Sequence, residues 1–210
     1  MIINEIFYSI QGEGPDSGLP TIFIRLTGCN LRCAYCDTKY AYHKGKEISI
    51  SKILQEIKKY PCNNICLTGG EPLLSKKIPI LIKKLHTKNY TISIETNGSL
   101  PINQLPKAAK VILDLKTPCS KMQQKNLLKN LKYLRKKDAL KIVTNDINDL
   151  KFAQKTIENH NKKNSPIKCP IIISPMWESK SREKIVGWLL KNPMPNTRIA
   201  IQLHKVFNFK

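Results

Sequence analysis

The chain has no apolar run of membrane-spanning length, no internal repeat beyond an alternation of strand-like and helix-like stretches, and no linker or low-complexity tract. These absences exclude a membrane-spanning helix and a string of modules. They leave one soluble domain over residues 1–210, with enough chain for a substantial core. No cleavable leader opens it: Met1-Ile2-Ile3-Asn4-Glu5-Ile6-Phe7 reads as a strand, so a cytoplasmic home is expected. Acidic residues are few, 15 against 36 lysines and arginines, and the net charge is +21. Such a field attracts polyanions, but the lysines sit on many segments and not on one arginine-rich face. A general lysine bias accounts for them better than nucleic-acid binding does. Aromatic residues are sparse at 7%, and a module that stacks RNA bases needs them. Neither nucleic acid nor membrane is therefore an expected partner, although the field would favour a doubly negative small substrate or an acidic electron donor. Seven cysteines, an odd number, and no leader argue against a disulfide scaffold.

What is present is a βα rhythm. Residues 3 to 10 and 21 to 26 are apolar and β-rich, with the loop Gln11-Gly12-Glu13-Gly14-Pro15-Asp16-Ser17-Gly18 between them. Helices are expected over Ser49–Tyr60, around Ile78–Leu85, over Lys121–Lys136 with Leu127, Leu128, Leu131 and Leu134 inward, over Ile147–His160 and over Lys180–Leu190. Strands are expected at 65–67, 91–95, 111–115, 140–143, 170–173 and 198–203. About six such units give an α/β fold with a parallel sheet, in the form of a partial (βα) barrel. Its chemistry should sit at the carboxyl ends of the strands. Thr68-Gly69-Gly70-Glu71, Glu95-Thr96-Asn97-Gly98, Asp114-Leu115-Lys116, Ser174-Pro175-Met176 and Gln202-Leu203-His204 all fall there.

The densest chemistry lies in Thr27-Gly28-Cys29-Asn30-Leu31-Arg32-Cys33-Ala34-Tyr35-Cys36-Asp37-Thr38. Three thiolates at C-x3-C-x2-C spacing are soft ligands on one short loop, one fewer than a closed zinc or all-cysteine site uses. A zinc knuckle completed by His43 is one reading. An iron–sulfur cluster with one iron left open is the other.

That spacing resembles the cluster motif of the radical S-adenosylmethionine (SAM) enzymes. The resemblance implies that Cys29, Cys33 and Cys36 hold a [4Fe-4S] cluster and that SAM chelates its fourth iron. Gly69-Gly70-Glu71-Pro72 resembles the family's glycine-rich motif, whose exposed backbone binds the SAM amino group; Glu71 is then a SAM contact or a structural carboxylate. Glu95-Thr96-Asn97-Gly98 resembles the strand end near the SAM ribose, and Asp114 and Lys116 the next SAM-contacting strand end. Tyr35, Cys36, Asp37, Ser174 and Met176 complete the implied SAM set. Serine at 174 departs from the amide-like residue expected there.

Within that superfamily, Ser9-Ile10-Gln11-Gly12-Glu13-Gly14-Pro15, Cys36-Asp37-Thr38 and Gln202-Leu203-His204-Lys205 are similar to the 7-carboxy-7-deazaguanine synthases, over essentially the whole chain. This similarity implies a carbon–nitrogen lyase that rearranges 6-carboxy-5,6,7,8-tetrahydropterin to 7-carboxy-7-deazaguanine with loss of ammonia, toward deazapurine nucleosides such as queuosine. A flavodoxin-like donor would reduce the cluster, and the radical derived from SAM would take hydrogen from the pterin C6 and later regain it. Ile10, Gln11, Gly12, Glu13, Arg25, Thr68, His204 and Lys210 are the implied substrate contacts, Lys210 through its main chain. Thr38 is the implied Mg²⁺ ligand, with substrate oxygens and waters completing the shell. A homodimer is implied as well. Cys62, Cys66, Cys119 and Cys169 are left to packing, as small hydrophobes. The rivals are another radical SAM enzyme, such as a glycyl-radical activase, and a zinc-stabilised basic RNA-binding module; metal content separates the last from the others.

Overall fold

The computed structural model describes residues 1–209, so Lys210 lies outside the described residues. The chain opens with an antiparallel hairpin, β1 (Ile2–Ile10) and β2 (Pro20–Leu26), in which Phe7 faces Phe23 and Ile10 faces Pro20. A short β3 (Lys46–Glu47) pairs with the outer side of β1. From β2 onward the strands run parallel: β4 (Asn64–Gly69), β5 (Thr91–Thr96), β6 (Lys110–Asp114), β7 (Ala139–Thr144), β8 (Ile171–Pro175) and β9 (Thr197–Ile199). The order is β3-β1-β2-β4-β5-β6-β7-β8-β9, so β4 lies beside β2 and each later strand beside the previous one in sequence. This is the progression of a (βα) barrel that stops before closing.

The connecting helices are α1 (Ile50–Ile57), α2 (Ile78–His86), α3 (Ile147–Lys163) and α4 (Arg182–Lys191). Their starts are coded locally. Ser49 accepts from the Lys52 N–H at 3.2 Å, and Asp146 accepts from the N–H groups of Asn148 and Asp149. Ile53 and Ile57 of α1, and Leu81, Ile82 and Leu85 of α2, are fully buried. They share one core with Ile22, Ile24, Ile65, Leu67, Ile92, Ile94, Leu140, Ile142, Ile171 and Ile173 from the strands. Because side chains alternate across a strand, the residues between these point to the opposite, concave face. That face carries Phe23, Arg25, Thr68, Glu95, Asp114, Lys141 and Ser174 around a cavity of about 440 Å³.

Two expected elements differ. Lys121–Lys136 is not an α-helix but separate 3₁₀ turns at Gln123–Lys125 and Leu128–Tyr133. The reason lies in two asparagines. Asn126 exchanges hydrogen bonds with the backbone of Lys116, and Asn130 binds Gly98, Leu100 and Ile102 backbone groups. Asparagine side chains thus compete with the i→i−4 ladder and pin the segment across the ends of β5 and β6. Leu131 is buried, whereas Leu128 is about half exposed. The final strand also ends early, at Ile199. The chain then leaves the sheet, and the N–H of Leu203, the first residue of the one-turn α5 (Leu203–Val206), donates to the Gly12 carbonyl at 3.0 Å.

Candidate active site

Cavity position follows from strand direction. The cysteine loop leaves the carboxyl end of β2, where barrel chemistry is expected. The loop after β1 enters from the other end, because β1 is antiparallel and Ile10 pairs with the first residue of β2. Gln11, Gly12 and Glu13 therefore form a floor beneath a mouth made by Cys29, Cys33 and Cys36, and all six line the same cavity. The carboxy-terminal segment meets that floor beyond the edge strand β9. A Cβ on Gly12 would lie 2.4 Å from Nδ1 of His204, so a larger residue there would push the His204 ring from its place.

The cysteine loop is held on three sides. Gly28 N–H donates to the Ala41 carbonyl and Ala34 N–H to the Ser120 carbonyl. Gly70 packs against it from the end of β4, where a Cβ would sit 1.8 Å from the Gly28 carbonyl oxygen. The Gly-Gly turn thus owes its composition to the approach of the loop backbone itself. The Asn97 amide lies 3.7 Å from the Cys29 Sγ and donates to Asn30 Oδ1 at 3.0 Å. His43, the fourth ligand that a zinc knuckle would draw on, is exposed and does not line the cavity that Cys29, Cys33 and Cys36 line.

Two carboxylates at the strand ends have different tasks. Glu71 is buried and used by the chain: Oε1 accepts from Leu73 N–H and Thr96 Oγ1, and Oε2 from Asn97 N–H at 2.7 Å. Burial raises its pKa, while these hydrogen bonds pull it back in part. It lies outside the cavity lining, so any ligand contact falls to the backbone of this turn. Asp114 faces the cavity; one oxygen accepts from Lys116 Nζ at 2.7 Å. Burial alone would lower the pKa of Lys116, but Asp114 and then Cys33 hold it above the ordinary lysine range. Burial likewise pushes the Cys33 thiol up, and Lys116 opposes the rise. Lys116 also lies 5.6 Å from the centre of the Tyr35 ring. The Tyr35 hydroxyl, the second oxygen of Asp114 and the Ser174 hydroxyl are buried without a partner, all on residues lining this cavity. Buried polar atoms are ordinarily satisfied, so these are the donors and acceptors a ligand would complete.

The deeper part is a second polar group. Glu95 accepts from Thr68 Oγ1 at 2.8 Å and from Gln11 Nε2 at 3.3 Å, which sets it with those two and not with Asn97. Arg25 donates from Nε to Glu5 at 2.8 Å and lies beside the Phe7 and Tyr40 rings. Glu13 receives hydrogen bonds from Lys141 Nζ and Gln202 Nε2. Burial would raise the Glu13 carboxyl, but the Lys141 ammonium and these bonds bring it down to about 2. Thr38 donates to Asp37 Oδ1 at 2.7 Å, putting two hard oxygens side by side at the rim.

Ile10, Arg25, Tyr35, Asp37, Thr38, Thr68, Glu95, Asn97, Lys116, Met176 and His204 all line the cavity, together with Gln11, Gly12, Glu13, the three loop cysteines, Gly70, Asp114 and Ser174, whereas Glu71 does not. Lys210 lies outside the described residues. The remaining cysteines are dispersed: Cys66 and Cys169 are fully buried, Cys62 sits near the Pro20 carbonyl, and burial raises Cys119 to about 12. Sequence reasoning missed Lys141, Gln202 as a side-chain contact, and the aromatic wall of Phe7, Phe23, Tyr40 and Tyr42. Lys141 had a signal: it is the one cation inside the buried strand Ala139-Leu140-Lys141-Ile142-Val143, in register with Asp114.

Comparison with known proteins follows the same outline. The profile of the Radical SAM superfamily matches residues 23–145. The 7-carboxy-7-deazaguanine synthase of Thermoplasma acidophilum is 38% identical over 98% of this chain and 96% of its own length. That of Methanospirillum hungatei is 40% identical over 98% of this chain and 84% of its own. This chain belongs to the 7-carboxy-7-deazaguanine synthase family. Among solved structures, that of QueE from Escherichia coli superposes with a TM-score of 0.78 over 96% of this chain and 93% of its own, at 23% identity, and so agrees in fold. A radical SAM enzyme of the 7-carboxy-7-deazaguanine synthase family uses a [4Fe-4S] cluster and SAM. No helix among the described residues is long and apolar enough to cross a membrane.

Proposed function

We propose that this chain is a radical SAM lyase that converts 6-carboxy-5,6,7,8-tetrahydropterin to 7-carboxy-7-deazaguanine with loss of ammonia, a step toward deazapurine nucleosides such as queuosine. One observation carries the reading: a single cavity has three free cysteines at its mouth and the polar set Gln11, Glu13, Arg25, Thr68, Glu95 and His204 deeper in. A site that generated a radical for a protein partner would not need such a set at its base.

The residues fit both a cluster and SAM. Three free thiols on one loop, with the Asn97 amide near one sulfur, suit a cluster that takes three protein ligands, so Cys29, Cys33 and Cys36 would hold it. The orphaned Tyr35 hydroxyl, Asp114 oxygen and Ser174 hydroxyl suit a ligand rich in hydroxyl and amine groups. With the backbone of Gly70, and with Asp37, Asn97, Lys116 and Met176, they would hold SAM. When bound, the cluster and SAM supply the hydrogen-abstracting chemistry.

The chain's own residues bind and orient. Arg25, braced by Glu5 and flanked by two rings, keeps its guanidinium terminus for the substrate carboxylate. Gln11, Thr68 and Glu95 form one hydrogen-bonded unit that reads the heterocycle from one side, and Glu13 with His204 reads it from the other. Phe7, Phe23, Tyr40 and Tyr42 exclude water around them. Thr38 with Asp37 offers oxygens to Mg²⁺, the substrate supplying others. A flavodoxin-like electron donor, a homodimer and a cytoplasmic setting complete the reading.

The test is an anaerobic assay of iron-reconstituted protein with SAM, reductant, Mg²⁺ and 6-carboxytetrahydropterin, followed by mass spectrometry. Formation of 7-carboxy-7-deazaguanine is the expected result. SAM cleavage with the pterin intact would overturn the substrate, and bound zinc with SAM untouched would overturn the reaction class.

A further inference from the structure

Lys141 is a buried charge that neither the cluster loop nor the SAM set explains. On β7, Leu140 and Ile142 enter the apolar core, while Lys141 points the other way, its side chain 16% exposed. It bonds to Glu13, whose carboxylate also accepts from Gln202. A carboxylate on the floor loop is thus gripped by a lysine from the barrel wall and an amide from the carboxy-terminal segment, and both are donors.

We infer that Lys141, assisted by Gln202, is a positioning residue that fixes Glu13 as a pure hydrogen-bond acceptor, so that the site selects a heterocycle edge made of N–H donors. The inference rests on the proposed function, in which Glu13 touches the pterin. An ionised carboxylate accepts through about four lone-pair sites and donates nothing. Lys141 and Gln202 occupy two, which leaves acceptor capacity for the amino and ring N–H groups of an aminopyrimidinone. A protonated Glu13 would present an O–H to those groups and forfeit a bond.

The charged groups facing Glu13 are Lys141 from β7 and His204 from α5; those facing Lys141 are Glu13, Asp114 from β6 and Glu95 from β5. Burial opposes the charge on Lys141, and these three carboxylates outweigh it, Glu13 first. With Lys141 removed, burial acts on Glu13 unopposed by any lysine, and its protonated form becomes populated nearer neutrality.

The experiment measures equilibrium binding of 6-carboxytetrahydropterin to iron-reconstituted, unreduced, SAM-loaded protein from pH 6 to 9, as the ratio of variant to wild-type affinity. Lys141→Met should bind about tenfold more weakly at pH 6 and approach wild type by pH 9, because rising pH re-ionises Glu13. A ratio of one at every pH, with Glu13→Gln impaired, would overturn the positioning role and leave Glu13 in the site. Wild-type binding by Glu13→Gln would instead remove Glu13 from the substrate set. Should Lys141→Met not fold, the double variant Glu13→Gln/Lys141→Met decides. Affinity equal to Glu13→Gln alone means that Lys141 acts through Glu13, and a further tenfold loss means that it does not.

Discussion

The backbone N–H of Asn97 donates to the Glu71 carboxylate over 2.7 Å, and the Asn97 side chain reaches from there to Cys29. Glu71 is in this way the link between two strand ends and the cysteine loop. Glu71→Ala would leave Leu73 N–H, Thr96 hydroxyl and Asn97 N–H without their acceptor. At about 1 kcal/mol or more for each buried orphan, the loss should be about 3 kcal/mol, a fall in Tm of roughly 6–12 °C. Glu71→Gln keeps the shape but turns an amide N–H₂ toward one donor, and should cost about half as much. Thermal melting checks both. An unchanged Tm for Glu71→Ala would mean that the carboxylate serves a ligand and not the fold.

Gly70→Ala tests the close approach of the same turn. The new Cβ would meet the Gly28 carbonyl oxygen at 1.8 Å, and backbone cannot rotate away as a side chain can. Displacement of the cysteine loop should cost about 3 kcal/mol and lower the iron bound per chain. Gly187, within α4, has no atom within 4 Å of its would-be Cβ. Gly187→Ala should therefore be neutral or stabilising by up to about 1 kcal/mol. Melting and iron content of the two variants give the comparison, and equal behaviour would refute the packing account of Gly70.

The parts legible in the sequence were those set by local periodicity. Ile53 and Ile57 mark the side of α1 that meets the core, the apolar runs of β4, β5 and β8 mark buried strands, and residues at the strand ends line the cavity. Partnerships set by long-range geometry were not legible. Leucine spacing over 121–136 suggests a helix, but Asn126 and Asn130 find their partners on distant backbone. Glu95 sits in a strand-end motif, yet Thr68 and Gln11 set its surroundings. Nothing local to Glu13 announces a lysine 128 positions away.

Acid stability should carry the signature of that last pair. The Glu13 carboxyl titrates near 2 in the fold, against 4.5 for its ordinary value. As pH falls through 4.5 the unfolded chain takes up the proton first. The stability contributed by Glu13, complete above 4.5, is therefore lost between 4.5 and about 2. The amount is on the order of 3 kcal/mol. Urea unfolding of wild type and Glu13→Gln across this range isolates it, since the general repulsion of a +21 chain affects both. The difference between them should shrink as pH falls; a constant difference would show that the Glu13 carboxyl titrates alike in the fold and in the unfolded chain.

Substitution of Arg25 should separate substrate recognition from SAM chemistry. Its Nε is spent on Glu5, while Phe7 and Tyr40 flank the guanidinium, so the planar terminus is preorganised rather than free to swing. Such a fork matches a carboxylate through two parallel bonds, and a lysine ammonium does not. Arg25→Ala should weaken pterin binding by about 2–3 kcal/mol, roughly 30- to 150-fold, and Arg25→Lys by about tenfold. SAM binding and reductant-driven SAM cleavage should persist in both, because the residues proposed to hold SAM lie on the loop and the other strand ends. Equilibrium binding of the pterin, with SAM cleavage followed separately, reads the two effects apart. Unchanged pterin affinity in Arg25→Ala would remove Arg25 from the site, and loss of SAM binding along with the pterin would mean that it holds the site's shape instead.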